Sequence, residues 1–189
     1  MITDQLINFV PIGSPLSLVG GAGVAIRSGI VDLLGVGVGV APPNIIGNTA
    51  IFGQADAMGV GNQRPELNVT IGTALAGAAG LTLKAALQAA PDLGSGGNYQ
   101  PGAWVDLGSQ DGITIAQGAA NTVIMRLPWL PPFPKTLRPR FLSLLFSPVS
   151  SGGAVPSGNF TGGTISSALV VMSRDDWSVG NAARNYTVA

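Results

Sequence analysis

Apolar and polar residues alternate along much of the chain after residue 66, and this pattern predicts β-strands. Over 67–75 every second residue is apolar or Thr, with small or polar residues between them. Such a period of two is typical of a strand with one buried face. A Gly/Ala-rich turn follows at 77–80. Further strands are predicted at 81–90, 104–107, 112–116, 122–127, 140–146 and 165–173.

The segment 81–90 can be interpreted in two ways. Its Ala, Leu, Lys and Gln residues have good helix propensity. Its leucines and alternate alanines nevertheless fall on one face at period two, with Lys84 and Gln88 on the other. The segment also follows the preceding strand closely, as the second strand of a hairpin does. We therefore favour a strand over a helix.

The 28 Gly and 14 Pro residues argue against long helices, because both residue types destabilise a helix interior. In the part of the chain before residue 64, Gly and Val alternate over 35–40. That alternation leaves one face bare, so another backbone can approach it closely. The sequence leaves open whether this stretch lies on a neighbouring subunit as an arm or forms a crowded strand in its own domain.

Short strands separated by turns predict an all-β, jelly-roll-like β-sandwich with an N-terminal Gly/Pro-rich extended arm or insertion. The expected organisation is a single domain. Residues 1–63 form the Gly/Pro-rich arm and early strands, residues 64–175 the β-sandwich core, and residues 176–189 a C-terminal tail.

Charged residues make up only 10% of the chain, against about 25% in ordinary soluble domains. A free monomer usually keeps a charged surface for solubility, whereas a subunit covered by neighbours needs less charge. The numbers of basic and acidic residues are equal, nine of each. Because nucleic-acid-binding proteins carry a basic excess, no nucleic-acid partner is expected.

The chain contains no Cys and no His. Ser-His-Asp and Cys-His catalysis are therefore impossible, as are metal sites that need Cys or His ligands. The adjacent carboxylates Asp175 and Asp176 are best interpreted as a solvated turn rather than a metal site or an acid/base pair. We predict no catalytic residue, no metal, no cofactor and no small-molecule substrate, and hence no enzyme.

Two uncharged runs, 5–26 and 33–55, are long enough to span a bilayer. Both are interrupted by Pro and Gly, which argues against membrane insertion. The N-terminus also lacks the basic region of a secretory signal. We therefore expect neither a membrane partner nor secretion.

Several strand patterns resemble a known family, the capsid cement (decoration, or stabilisation) proteins of tailed bacteriophages, in particular the group of the Bordetella phage cement protein. The segments that carry the resemblance are 31–33, 67–71 with 81–92, 104–107 with 109–116, and 139–144 with 165–172. The resemblance covers most of residues 20–175. Its motifs are strand patterns rather than catalytic signatures.

The resemblance implies a jelly-roll-like sandwich that forms a homotrimer on the outer surface of the virion capsid. There it would bridge major capsid protein subunits and stabilise the head, after synthesis in the cytoplasm of the bacterial host. The family has no catalytic residues to carry over. This chain is longer than a typical member, chiefly at 33–63 and 128–139, where its capsid contacts would differ.

Three residues are the candidate interface residues: Trp129, Arg138 and Trp177. The two tryptophans lie in Pro-rich or polar loops, and Trp is frequent at interface hot spots. They could equally be ordinary caps of the core. Trp104 begins a predicted strand and is assigned to the core.

Arg138 also belongs to the one basic cluster of the sequence, which is expected to meet an acidic capsid patch or to be solvated. Its members are Arg126, Lys135, Arg138 and Arg140. The alternative function is a small phage β-sandwich that binds a carbohydrate or receptor, like a fibre tip. It would need exposed aromatic side chains along a shallow groove.

Overall fold

A computed structural model of the protein describes residues 2–11, 13–32, 65–94, 100–128, 139–150 and 158–172. Within these ranges the chain forms strands, turns and loops, and no helix occurs. The strands are β1 (Ile2–Val10), β2 (Leu16–Ser17), β3 (Ile26–Arg27), β4 (Val31–Asp32), β5 (Pro65–Ile71), β6 (Ala76–Gly77), β7 (Leu81–Ala90), β8 (Val105–Thr114), β9 (Val123–Pro128), β10 (Phe141–Ser150), β11 (Phe160–Gly162) and β12 (Thr164–Met172).

The strands form two antiparallel sheets of five strands and a small sheet made by β6 and β11. In the first sheet the order is β1-β12-β5-β9, and β2 continues the β1 edge along β12. In the second the order is β3-β10-β7-β8, and β4 continues the β3 edge along β10. With β1/β2 and β3/β4 each taken as one interrupted edge strand, each sheet has four strands, in the order of a jelly roll.

The two sheets enclose one apolar core. Alternate residues of β5, namely Leu67, Val69 and Ile71, have no exposed surface. They belong to the same buried cluster as Leu87 of β7 and Leu144 of β10 in the second sheet. Burial on one face of β5 explains the period of two in its sequence, because successive side chains of a strand point to opposite faces. Parts of β7 and β10 are buried on both faces.

The ends of the sandwich differ in their connections. At one end, here called the turn end, the connections 18–25, 72–80 and 115–122 meet residues 158–163. Backbone hydrogen bonds join them, including Leu18 N–H to Gly163 O and Leu75 N–H to Gly118 O. At the opposite end, here called the cluster end, β4, β7 and β9 finish and β10 begins.

The all-β prediction and the jelly-roll-like sandwich are confirmed, and 81–90 is the strand β7. The predicted strands 104–107 and 112–116 are wrong as two elements, because β8 is continuous from Val105 to Thr114. Irregular register with β7 accommodates the glycines between them, and Gly112 takes a positive φ of 70°. Irregularities of this kind keep an extra residue within a strand.

Two further boundaries are corrected. The strand predicted over 67–75 ends at Ile71, where the Gly72 N–H donates to the carbonyl oxygen of Thr164. Between the predicted strands 140–146 and 165–173 the structure has a further short strand, β11, which pairs with β6. The Gly-Val stretch at 35–40 and the tail 176–189 lie outside the described residues.

Candidate functional site

A buried ion cluster lies at the cluster end and joins three parts of the chain. It consists of Arg140, Asp32 and Asp92 and is called the Arg140 cluster below. The guanidinium donates from Nε and Nη2 to Asp32 Oδ1 and Oδ2 at 3.1 and 3.0 Å, and from Nη1 to Asp92 Oδ2 at 2.6 Å. The Arg140 side chain is only 8% exposed. The cluster thus fixes the end of β4, the exit of β7 and the entry to β10.

The Arg140 cluster also orders the connection between β7 and β8. Asp92 Oδ1 accepts hydrogen bonds from the backbone N–H groups of Gly94 and Gln100, at 2.8 and 3.1 Å. The Leu93 N–H donates to Gln100 O, and the Gly102 N–H donates to Pro91 O. Three of these bonds, all except the one from Gly94, cross the connection, so its two described halves are held against each other.

Both partners in the Arg140–Asp92 pair are held in their charged forms. The pKa of Asp92 is lowered, chiefly by the hydrogen bond from the Gly94 N–H; burial opposes this, and Gln100 and Arg140 add to it. The pKa of Arg140 is raised, first by its hydrogen bonds to Asp32 and then, against desolvation, by both carboxylates. Because both oxygens of each carboxylate accept protein hydrogen bonds, the cluster is suited to holding structure rather than to moving protons.

A second cluster crosses the outer face of the second sheet. It consists of Arg27, Trp104, Gln88, Asp106 and Lys84 and is called the Arg27 cluster below. Arg27 Nη2 donates to Gln88 Oε1 at 2.8 Å, Gln88 Nε2 donates to Asp106 Oδ1 at 2.6 Å, and Lys84 pairs with Asp106 Oδ2 at 3.2 Å. The Arg27 guanidinium also stacks over the Trp104 ring at 4.2 Å.

Burial is weaker in the Arg27 cluster, and no carboxylate in the described part of the chain pairs directly with its arginine. The side chains of Lys84 and Asp106 are 33% and 43% exposed. Desolvation lowers the pKa of Arg27, whose buried Nη1 has no hydrogen-bond partner. For Asp106 burial acts to raise the pKa, but the hydrogen bonds from Gln88 and Lys84 outweigh it and lower the pKa overall.

The two clusters correct two sequence-based assignments. Trp104 is half-buried beneath Arg27 on the outer face, so its assignment to the core is wrong. Arg140 is buried between two carboxylates, so it is unavailable to a capsid patch or to solvent. Sequence reasoning missed Asp32 and Asp92 as its partners. They lie 108 and 48 residues from Arg140, a separation that local patterns do not bridge.

Two residues of the basic cluster predicted from the sequence are described by the structure, and their environments differ. Arg126 is exposed on β9, whereas Arg140 is buried. Lys135 lies outside the described residues. The three candidate interface residues, Trp129, Arg138 and Trp177, also lie outside the described residues, as do Asp175 and Asp176. The structure therefore does not test them.

The described surface does expose large apolar side chains. Leu93, beside the Arg140 cluster, is the most exposed of them at 73%. The others are Val19, Val24, Ile30, Val105 and Val123. Leu93 follows Asp92 directly, and no pattern in the sequence distinguishes it from a buried leucine.

Within the ranges that the structure describes, no group of three or more carboxylates is placed to hold a metal ion. No helix in the same ranges is long and apolar enough to cross a membrane. No protein-family model matches the chain, and no curated protein matches its sequence.

Proposed function

We propose that this protein is a viral capsid cement (decoration) protein. In this proposal it binds the outer surface of a phage head as a homotrimer and stabilises the contacts between major capsid protein subunits. Its site of action is the virion, and it acts by protein–protein contact without chemistry of its own.

The observation that carries the proposal is a jelly-roll sandwich in which most of the described charged side chains interact with one another. Most of the charged side chains that the structure describes belong to the Arg140 and Arg27 clusters. The remaining ones are Glu66, Asp111 and Arg126. A surface with few free charges and several exposed aliphatic side chains suits a subunit covered by other proteins.

The sequence resemblance to phage cement proteins points in the same direction as the fold. Jelly rolls occur in viral capsid proteins and also in lectins, so the fold alone does not select the function. A homotrimer engages several equivalent sites of a shell at once, so modest affinity at each contact gives tight overall binding.

The first experiment is the mass of the purified protein by light scattering after size exclusion. A trimer has three times the chain mass of 19.0 kDa. The second is co-sedimentation with empty heads, assembled without this protein, of the virus that encodes it. Saturable binding with a higher melting temperature of the heads supports the proposal.

A monomer that does not bind heads overturns it. A monomer that binds heads keeps the cement function and removes the trimer in solution. If a thermal-shift screen of sugars instead stabilises the protein while heads do not bind, the carbohydrate-binding alternative replaces the proposal.

A further inference from the structure

We infer that the Asp111-Gly112 pair in β8 is a modification site, at which the aspartate isomerises to isoaspartate while the protein is folded. The attacking group is the backbone nitrogen of Gly112, so the chain supplies both reacting groups itself. The inference goes beyond the proposed function and does not depend on it.

The reaction needs no molecule other than water. The Gly112 nitrogen attacks Cγ of Asp111, a C–N bond forms, and the carboxyl oxygen leaves as water with the amide proton. The product is a five-membered succinimide. Water then opens this ring at one of its two carbonyl carbons. Attack at the former backbone carbonyl gives isoaspartate, whose main chain runs through Cβ and Cγ, whereas attack at the other carbonyl restores aspartate.

The first argument is the residue that follows each aspartate. Ring closure brings the next residue's nitrogen onto the side chain, and a side chain on that next residue hinders the approach. Leucine follows Asp32, Asp92 and Asp106, whereas glycine, which has no Cβ, follows Asp111. Of these four aspartates, Asp111 is therefore the one with an unhindered neighbour.

The second argument is that the fold itself favours glycine at this position. Gly112 has a φ of 70°, which other residues rarely adopt. A Cβ there would meet no atom within 4 Å, so the backbone conformation rather than space selects glycine. Asp111 and Gly112 together stand opposite the single residue Lys84 of β7. Such an irregularity leaves one residue outside the regular ladder, so the local backbone is less restrained than in a regular strand.

The third argument is the freedom of the Asp111 side chain. The carboxylates of Asp32, Asp92 and Asp106 all accept hydrogen bonds from other side chains. No described residue forms a hydrogen bond or an ion pair with the Asp111 carboxylate. Asp111 and Gly112 are both exposed. Cγ can therefore rotate towards the Gly112 nitrogen, and water can reach the succinimide.

The fourth argument is that the folded chain can accommodate the product. In the described part of the chain β8 pairs with β7 alone, at the edge of the second sheet. Ile113 is the one buried residue of β8. Isoaspartate adds one methylene to the main chain, and here that methylene would lengthen an exposed edge instead of entering the core.

The experiment follows the purified protein during incubation for several weeks at physiological temperature, both folded and unfolded in guanidinium. Peptide mapping by mass spectrometry detects the succinimide, which is one water lighter. Methylation by a protein isoaspartyl methyltransferase detects the isoaspartate. In the folded protein the rate at residue 111 is expected to lie within about tenfold of the unfolded rate, a barrier difference of at most about 1.4 kcal/mol.

Asp111→Glu is the matched variant, because it keeps the charge but would have to close a six-membered ring, which forms far more slowly. It is expected to lose the isoaspartate signal. Asp106 is the internal control, since it lies in the same strand with a side chain 43% exposed. Leu107 follows it and Gln88 holds its carboxylate, so no isoaspartate is expected there.

Two results overturn the inference. One is isoaspartate at residue 111 in the unfolded chain alone, which would show that β8 holds the pair in a geometry that excludes ring closure. The other is equal isoaspartate at residues 106 and 111, which would show that neither the glycine nor the free carboxylate matters. Both results leave the proposed function intact, and failure of the protein to bind heads leaves this inference intact.

Discussion

The two ends of the sandwich hold their connections by different means. At the turn end, short connections exchange backbone hydrogen bonds, and Leu75 packs against the backbone of Gly118 and Gly163. At the cluster end, Arg140 and two carboxylates hold the strand termini together. Among the described residues, no ion pair involves a turn-end connection.

The difference follows from the lengths of the connections. Short turns bring their own N–H and C=O groups together, so backbone pairing suffices there. At the cluster end, 33–64 separates β4 from β5, and 129–140 separates β9 from β10. Side chains of long reach can join strand ends that no short turn connects. Burial of three charged groups costs desolvation free energy, which their mutual pairing and the backbone hydrogen bonds to Asp92 offset.

Arg140→Met tests the cluster end and is expected to have the largest effect. The substitution leaves Asp32 and Asp92 partly buried without their counter-charge. Removing one partner of a buried pair destabilises a protein by about 3–5 kcal/mol. Chemical denaturation of the wild type and the variant measures the difference in unfolding free energy.

The matched control is Lys84→Met, which breaks the half-exposed pair with Asp106. Exposed pairs contribute about 0–1 kcal/mol, so this variant should unfold almost as the wild type does. Equal losses of unfolding free energy for Arg140→Met and Lys84→Met would show that the greater burial of the Arg140 cluster does not make it more stabilising.

Gly118→Ala tests the turn end. A Cβ on Gly118 would overlap Leu75 Cγ and Cδ1, and Leu75 is itself only 3% exposed. Forcing an extra methyl into a packed site destabilises by about 1–3 kcal/mol. Gly20→Ala at the same end is the control, because its Cβ would meet Ile26 at an ordinary distance of 3.4 Å. Thermal unfolding of both variants measures the effect, and equal midpoints would argue against tight packing at Gly118.

The fold was predictable from the sequence because burial repeats locally along each strand. The leucines of 81–90 lie on the core-facing side of β7, and the period of two correctly outweighed the helix propensity, although both faces of the strand are buried over 85–90. Register irregularities were not predictable. Gly112 begins the second of two separate predicted strands, but in the structure it lies within the continuous strand β8, with a positive φ and an irregular register against β7.

The site was less predictable because its contacts are non-local. Arg140 was grouped with its sequence neighbours as a surface cation, whereas its partners Asp32 and Asp92 come from distant segments. The exposure of Leu93 depends in the same way on the backbone pairing around it. One signal in the sequence could have indicated such a cluster. In a chain with few charges, Asp32, Asp92 and Arg140 each lie at or within two residues of the end of a predicted or observed strand.

The pH dependence of stability is expected to come from the cluster end. Because the pKa of Asp92 lies below its ordinary value of 3.8, the unfolded chain takes up a proton before the folded chain does. The contribution of Asp92 to stability is therefore fully present above its ordinary pKa. It is lost as the pH falls through the lowered pKa of the folded state. Urea unfolding between about pH 5 and about pH 3 should show a smaller loss for Asp92→Asn than for the wild type. Parallel curves would show that Asp92 contributes little to the acid sensitivity.

Arg27→Lys is expected to have the smallest effect, and the reason distinguishes the two arginines. Arg140 uses three nitrogens on carboxylates, whereas Arg27 makes one hydrogen bond, to the neutral Gln88, and stacks on Trp104. Lysine keeps the charge and can still reach an amide oxygen. It loses the stacking, which contributes about 0.5–1 kcal/mol at a partly exposed site.

The same substitution also removes the buried Nη1 of Arg27, which has no hydrogen-bond partner among the described residues; such an unpaired buried group destabilises the folded state. The two changes oppose each other, so the net loss of unfolding free energy should be below about 1 kcal/mol. Chemical denaturation beside Arg140→Met gives the comparison directly. A loss for Arg27→Lys as large as that for Arg140→Met would mean that the outer face of the second sheet holds the fold as strongly as the cluster end. The half-exposed cluster would then share the role assigned here to the buried one.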